Sequence, residues 1–588
     1  MIDLNMIKSP ADIKNLSLDQ LDELAAEMRQ ALIRKLSVHG GHVGPNLGFL
    51  EATIALYYVF DAPKDKIVFD VSHETYAHKM LTGRMEAFTD PAHYNDVTGF
   101  TCPRESEYDI FEIGHTSTGV SLAGGLAKAR DLAGGSENVI AVVGDGALSG
   151  GEAFEGLDYA ATLGSNFIVV FNDNQMSIAE NHGGIYDSLA MLRETNGTGE
   201  PNYFKSLGFE YVFVKYGNDI RSLVKAFRSV KDSKKPVVVH IDTQKGMGYG
   251  PAEANREEFH FSGPFDIPTG EPASIDKTPD WSDVTYETIH SLMADNDKVV
   301  AITAGTPGSF GFTPERRREA GKRFVDVGIA EQEAVALSSG LAKGGARPIF
   351  MVISSFLQRA YDQMSQDVAI NNTPVTLSIS ATGINAMTDM THLGWFDIAL
   401  VSNIPGWVYL APTCMEEYQA MMRWAVTQTE HPVAVRVPGG AVWETGREAR
   451  KDYSVLNKSE VFRRGHGVAV IAAGATFRNA YEALALTKER GLDITLINPV
   501  FLSGLDTELL DDLLTDHKAV ITLEDGVIDG GFGEKVARYY GDKAMKVVCR
   551  GIRKEFLDGY DRSRLMEMCG MTPRKIADTV VQLANPKH

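Results

Sequence analysis

Residues 142–174 read VVGDGALSGGEAFEGLDYAATLGSNFIVVFNDN. A β-branched run, Asn138–Val143, stops at Gly144-Asp145-Gly146, and a helical stretch follows. A second apolar run, Asn166–Phe171, stops at Asn172-Asp173-Asn174. Two buried strands joined by a helix form a parallel crossover unit, and open α/β sheets bind ligands at the carboxyl ends of such strands. Asp145 and the amide oxygen of Asn174 are hard donors suited to Mg²⁺, which commonly takes substrate phosphates as further partners. The glycines let the backbone approach a diphosphate closely, and the helix start that follows favours negative charge. Two rivals compete on GDG alone: a tight strand-to-helix turn with an aspartate cap, and a dinucleotide fingerprint. Against the second, Gly144, Gly146 and Gly150 are spaced GxGxxxG, and asparagines rather than an acid end the next strand. The pairing of Asp145 with Asn174 across the unit favours the diphosphate–metal reading.

The same rhythm extends outward. Pro236–Asp242, Lys298–Thr303, Pro348–Ile353, Pro374–Ser380, Pro432–Val437, Gly467–Ala472, Asp493–Ile497, Ala519–Leu523 and Met545–Val548 are further apolar runs, separated by helical patterns. Strands of this kind are covered on both faces. Residues 262–283 carry four prolines and no apolar period, and residues 444–460 are charged and aperiodic, so both read as linkers. The chain divides into 1–265, 284–443 and 461–588, three α/β domains, each a mostly parallel sheet with helices on both faces.

Composition narrows the class. A chain of 588 residues with 44% hydrophobic and 23% charged residues buries several cores without difficulty. Its net charge, 57 minus 78 or −21, makes it a poor binder of nucleic acid or anionic membrane. Four cysteines, none in CxxC, exclude a disulfide scaffold and a cysteine-built zinc site. No apolar run approaches the ~20 residues that span a bilayer, and the opening residues lack a signal-peptide layout. The expectation is a cytoplasmic protein.

GDG followed by NDN resembles the thiamine diphosphate motif, and the surrounding residues resemble the 1-deoxy-D-xylulose-5-phosphate synthase family of the transketolase superfamily. HGGHVGPNLG (39–48), DVSHETYAHK (70–79), ESEYD (105–109), GHTST (114–118) and KGMGYGPAE (245–253) are similar to that family's first domain. IAEQEAV (329–335), SSFLQRAYDQ (354–363) and THLGWFD (391–397) are similar to its second. The resemblance implies a transketolase-like fold and an enzyme that uses thiamine diphosphate and Mg²⁺. Asp145, Asn174 and the Met176 carbonyl would hold the metal. His73, Gly114, His115, Thr116, Gly146, Ala147, Asn174 and Tyr249 would line the cofactor, with Ile178 propping it. Glu331 would bond its aminopyrimidine ring and Phe356 would stack on that ring. His42, His260, Arg359 and His392 would face the substrates, pyruvate and an aldehyde such as D-glyceraldehyde 3-phosphate. A homodimer serving isoprenoid and thiamine biosynthesis is also implied.

Each residue has a plainer reading. Glu331 could cap the helix that follows it. His39 with His42, or His73 with His78, could form zinc pairs, although no HExxH spacing is present. His115 could be a core histidine, Arg359 a surface arginine, and Gly530-Gly531-Phe532-Gly533 a turn. Departures from the family gather at the acceptor end: Ala381 and Gly439 stand where arginines that grip a phosphate are usual, and Ile353 replaces a tyrosine. Asp389 stands where a glycine is usual, and the segment after Met176 is short. The leading reading is therefore a thiamine diphosphate-dependent carboligase. A transketolase-like or acyloin-forming paralogue with a different, unphosphorylated acceptor is the alternative, and a non-catalytic scaffold is the third.

Overall fold

The structure, a computed structural model, describes residues 2–274 and 278–585. They fall into two compact units: Met1–Lys277 with Gly328–Ala330, and Thr278–Val327 with Glu331–His588. The first unit is built on one parallel sheet of β1 (Lys66–Phe69), β2 (Val139–Gly144), β3 (Phe167–Asp173), β4 (Glu210–Val214) and β5 (Pro236–Asp242), in the order β1-β2-β3-β5-β4. Helices cover both faces. Leu18–His39, for example, is started by Ser17, whose hydroxyl accepts from Gln20 N while Gln20 bonds back. It buries Leu21, Leu24, Met28, Leu32 and Leu36.

The second unit holds two sheets. One is wholly parallel: β6 (Val299–Thr303), β7 (Phe324–Asp326), β8 (Arg347–Ile353), β9 (Thr376–Ser380), β10 (Val408–Leu410) and β11 (Val433–Arg436), ordered β10-β11-β9-β8-β6-β7. The other comprises β12 (Glu460–Arg463), β13 (Gly467–Ala472), β14 (Thr495–Asn498), β15 (His517–Val527) and β16 (Lys546–Ile552), ordered β12-β14-β13-β15-β16, with only β12 antiparallel.

All eleven apolar runs in the sequence are strands, with ends shifted by a few residues. The five strands they miss, β1, β4, β7, β10 and β12, each lie at the edge of a sheet and are three to five residues long. An edge strand has one neighbour and often a wet face, so it carries no long apolar signature. The two linkers are also better anchored than their composition suggests. Phe265, in the first, is buried, and Tyr249 donates to Ile267 O at 2.9 Å; residues 275–277 lie outside the described set. In the second, Glu416 accepts from Thr445 N at 2.8 Å, and Tyr453 is buried. Gly531, expected in a turn, is the N-cap of helix Phe532–Tyr539, where Glu524 accepts from Phe532 N and Gly533 N at 2.7 Å each. Among the described residues, no helix is long and apolar enough to cross a membrane.

Within the second unit a buried guanidinium joins the two sheets. Arg436, at the end of β11 and 2% exposed, donates from Nε to Asp397 at 2.6 Å and from Nη1 to Asp525, in β15, at 2.5 Å. Tyr409 also donates to Asp397. Removing one partner from a buried ion pair leaves an uncompensated charge at a cost of about 3–5 kcal/mol. Asp397→Ala should therefore lower the unfolding free energy of this unit by that amount. All five tryptophans lie in it, so their fluorescence in a guanidinium titration reads this unit alone. A change under about 1 kcal/mol would mean that the network is dispensable.

Candidate active site

Asp145 follows β2 and Asn174 follows β3, neighbouring strands whose register pairs Gly144 with Asn172. Asp145 is 2% exposed, and its carboxylate accepts from Gly146 N at 2.9 Å, Met176 N at 3.0 Å and Asn181 Nδ2 at 2.9 Å. Met176 N also reaches Asn174 Oδ1 at 3.2 Å. Burial, and then the negative charge of Asp173, push the Asp145 carboxyl up to about 7. Asp173 behaves oppositely. Burial works to raise it, but His240 at 2.9 Å and Arg193 at 2.5 Å hold it below the ordinary carboxylate range. Gly146 permits a close approach, since a Cβ there would sit 2.8 Å from Ser177 Oγ. Ile178, half-buried, continues the same turn.

Gly114, His115 and Thr116 lie on the loop that enters helix Gly119–Leu132. Asp70, just after β1, accepts from Ser117 N at 2.8 Å and Gly119 N at 2.7 Å, while Ser72 Oγ donates to Ile113 O at 2.6 Å. Ser117 Oγ donates to the Ala147 carbonyl at 2.9 Å. Thus GHTST is pinned beside GDGA. Behind the loop, Asp109 takes two bonds from Arg84 and one contact of 2.5 Å from His78 Nε2. His78 Nδ1 meets Tyr57 Oη at 2.5 Å. With both nitrogens engaged, His78 has none for a metal shared with His73, and His39 bonds Asn95 at 2.7 Å instead. Neither zinc pair is supported.

His42, His73 and His260 form a cluster with ring centroids 5.1, 5.6 and 5.2 Å apart. Asn46 sets two of them: its amide donates to His42 O at 2.7 Å and His73 O at 2.8 Å, and its oxygen accepts from Tyr76 N at 2.8 Å. Burial, followed by Lys245, His73 and His42, drives His260 well below the ordinary imidazole range, so it is neutral. Lys245, fully buried, donates to Ser177 O at 2.6 Å, and burial lowers its ammonium to about 7. Tyr249 is not joined to this cluster: its ring packs against Phe259 and Phe265, both at 5.7 Å.

In the second unit Glu331 opens helix Glu331–Lys343 and is 2% exposed. Burial raises its carboxyl, against the pull of Arg359, whose Nη1 is 3.5 Å away. Arg359 is therefore no free surface arginine. Phe356 meets the His392 ring edge-on at 5.4 Å. His392 Nδ1 is 2.8 Å from Asp389 Oδ1, so the shifted aspartate orients this imidazole. Burial tends to raise Asp389, yet its bond to His392 keeps it below the usual value. Asn46, Ser117, Asn181 and Lys245 escape a reading of the sequence because their roles depend on partners brought from elsewhere in the chain. The motif context of Asn46 and Lys245, inside HGGHVGPNLG and KGMGYGPAE, was the available signal.

Comparison with known proteins assigns the chain to a family. A family profile described as 1-deoxy-D-xylulose-5-phosphate synthase matches residues 4–200. The transketolase pyrimidine-binding domain matches 277–442, and the transketolase C-terminal domain matches 457–576. A curated 1-deoxy-D-xylulose-5-phosphate synthase of Pelotomaculum thermopropionicum is 39% identical, covering 100% of this chain and 98% of its own. That of Symbiobacterium thermophilum is 39% identical over 98% and 94%. That of Clostridium tetani is 37% identical over 99% of each. The chain belongs to the 1-deoxy-D-xylulose-5-phosphate synthase family, a family of thiamine diphosphate-dependent transferases.

Proposed function

We propose that this chain decarboxylates pyruvate and transfers the two-carbon unit to an aldehyde such as D-glyceraldehyde 3-phosphate, using thiamine diphosphate and Mg²⁺. Residues 1–265 would bind the diphosphate and metal, 284–443 the aminopyrimidine, and 461–588 would form the third domain. The observation that carries the reading is the pair of oxygen donors, Asp145 and Asn174, at the ends of adjacent parallel strands. The donor set suits the group. Ser177 Oγ, Asn181 Oδ1 and His260 Nδ1 are buried polar atoms that lack a hydrogen-bond partner among the described residues. The reading carries with it a cytoplasmic homodimer, and sedimentation measures the assembly.

Asp145, Asn174 and the Met176 carbonyl would hold the metal, while Gly114, His115, Thr116, Gly146 and Ala147 would surround the diphosphate. Thiamine diphosphate, when bound, supplies the nucleophilic carbon and the electron sink for loss of the donor's carboxylate. Glu331, whose carboxyl burial raises against the pull of Arg359, would hydrogen-bond the aminopyrimidine ring and exchange a proton with it. The neutral imidazole of His260 can accept a proton, and His42, His73 and His392 can donate to or accept from substrate oxygens.

Asp145→Ala removes the charged metal ligand. Calorimetry should show loss of micromolar cofactor binding in the presence of Mg²⁺, with an unchanged far-ultraviolet circular dichroism spectrum. Glu331→Gln keeps the shape and loses the titrating proton. Cofactor binding should survive while pyruvate decarboxylation falls by about 10²–10⁴-fold. A variant that retains most of its rate would remove Glu331 from the mechanism.

A second reading concerns the acceptor and rests on Ala381 and Gly439. The two arginines left nearby in the sequence are already committed: Arg436 to Asp397 and Asp525, and Arg359 to Glu331. An arginine–phosphate contact contributes roughly 1.5–3 kcal/mol. Two missing contacts weaken recognition of the phosphate by about two to four orders of magnitude. Steady-state kinetics with glyceraldehyde 3-phosphate against glyceraldehyde should show little preference for the phosphate. A micromolar KM with a strong preference would mean that other groups compensate, and the plain synthase reading would stand.

A further inference from the structure

The His392 loop is held from the third sheet's side of the second unit. Its base closes where Gly383 N donates to Gly394 O at 2.6 Å, and Trp395 O accepts from Val527 N, at the end of β15, at 2.9 Å. Its crown, residues 384–389, precedes the short turn Met390–His392 and contains no helix or strand of its own, so most of its backbone groups need partners from elsewhere. The segment Asp558–Arg562, between β16 and helix Arg562–Met568, supplies them. Asp558 Oδ1 accepts from Met390 N at 3.1 Å. Gly559 N donates to Thr388 O at 2.9 Å. Tyr560 Oη donates to Ile384 O at 3.0 Å and reaches Met387 O at 3.4 Å, with its ring 5.4 Å from that of Trp395. Arg562 Nη2 donates to Ala386 O at 2.8 Å.

Five hydrogen bonds from four of these five consecutive residues thus reach five residues of a loop more than 160 positions earlier. The same loop carries Asp389 and His392, bonded to each other at 2.8 Å. We propose that Asp558–Arg562 is a positioning clamp, by which the third domain fixes the His392 imidazole against the substrates. The proposal rests on the reading that His392 faces the substrates; Tyr560 and Arg562 are positioning residues that act through it. A displacement of about 1 Å in a reacting group costs on the order of a hundredfold in rate, so a loop of this length needs such restraint. Arg562 also borders a cleft of about 430 Å³, lined by Asn385, Gly439 and Arg478 among others, so shortening its side chain opens no sealed void.

The test uses the holoenzyme with pyruvate and its best aldehyde acceptor. Tyr560→Phe/Arg562→Gln should lower kcat by roughly tenfold or more, with little change in melting temperature or in cofactor affinity. Tyr560→Phe alone, which deletes one oxygen, should show a smaller fall and serves if the pair unfolds. Arg562→Lys, which keeps a donor toward Ala386 O, should restore most of the rate. The deciding readout is the same pair of substitutions placed on His392→Asn: there they should cost less than about twofold, because two changes on one route do not add. Equal losses in both backgrounds, or no loss in the first, would overturn the clamp while leaving His392 in its role. Full activity in His392→Asn alone would overturn both.

Discussion

A guanidinium removed from water must be neutralised where it lies, and in the second unit that requirement organises everything around it. Arg436 finds one carboxylate on Asp397, five residues beyond His392, and another on Asp525, near the end of β15 in the third sheet. Strand β11, the helix that starts at Asp397 and strand β15 are obliged to converge on one point. The loops that leave that point inherit its position. Thr382 Oγ1 donates to Val437 O at 2.8 Å, and Val527 N donates to Trp395 O, so the chain on either side of His392 is tied to both sheets before any surface contact is counted.

The first unit has buried ion pairs of its own, Arg84 with Asp109 and Arg193 with Asp173, and holds its loops with neutral groups and single carboxylates as well. Loops that gather around a ligand leave backbone N–H and C=O groups without regular partners, and each must be satisfied. Asp70 satisfies two amides of the GHTST turn. Asn46 satisfies one amide and two carbonyls of the segments that bear His42, His73 and Tyr76. These side chains decide where His42, His73 and the GHTST turn stand. Among the described residues, buried polar atoms of Ser177, Asn181 and His260 are left without a hydrogen-bond partner.

The legible part of this molecule was what central strands and short-range motifs write into a chain. Continuous apolar runs marked every central strand, and the ends of β2 and β3 marked Asp145 and Asn174. Edge strands were missed because one neighbour and partial solvent demand no apolar run. Groups such as Asn46, Lys245 and Tyr560 were missed for a different reason: their significance lies in partners 27 to nearly 180 residues away, and no local period encodes that. Tyr249, which a motif assigns to the cofactor, packs its ring against Phe259 and Phe265, aromatic neighbours that the sequence spacing alone does not announce.

The glycine at 439 has a consequence for how this pocket can change over time. A Cβ there would lie 2.8 Å from Asn385 Cβ and 3.0 Å from Thr382 O, and Ala381 sits at φ 49° in the left-handed region, where larger side chains are strained. No single codon change to arginine at either position is therefore neutral for the backbone: Asn385 and the 381–383 turn must move first. Such interlocking works as a ratchet. A lineage that needed an arginine-built phosphate grip would have to cross an intermediate that is worse than either end, or build the grip from side chains elsewhere on the rim.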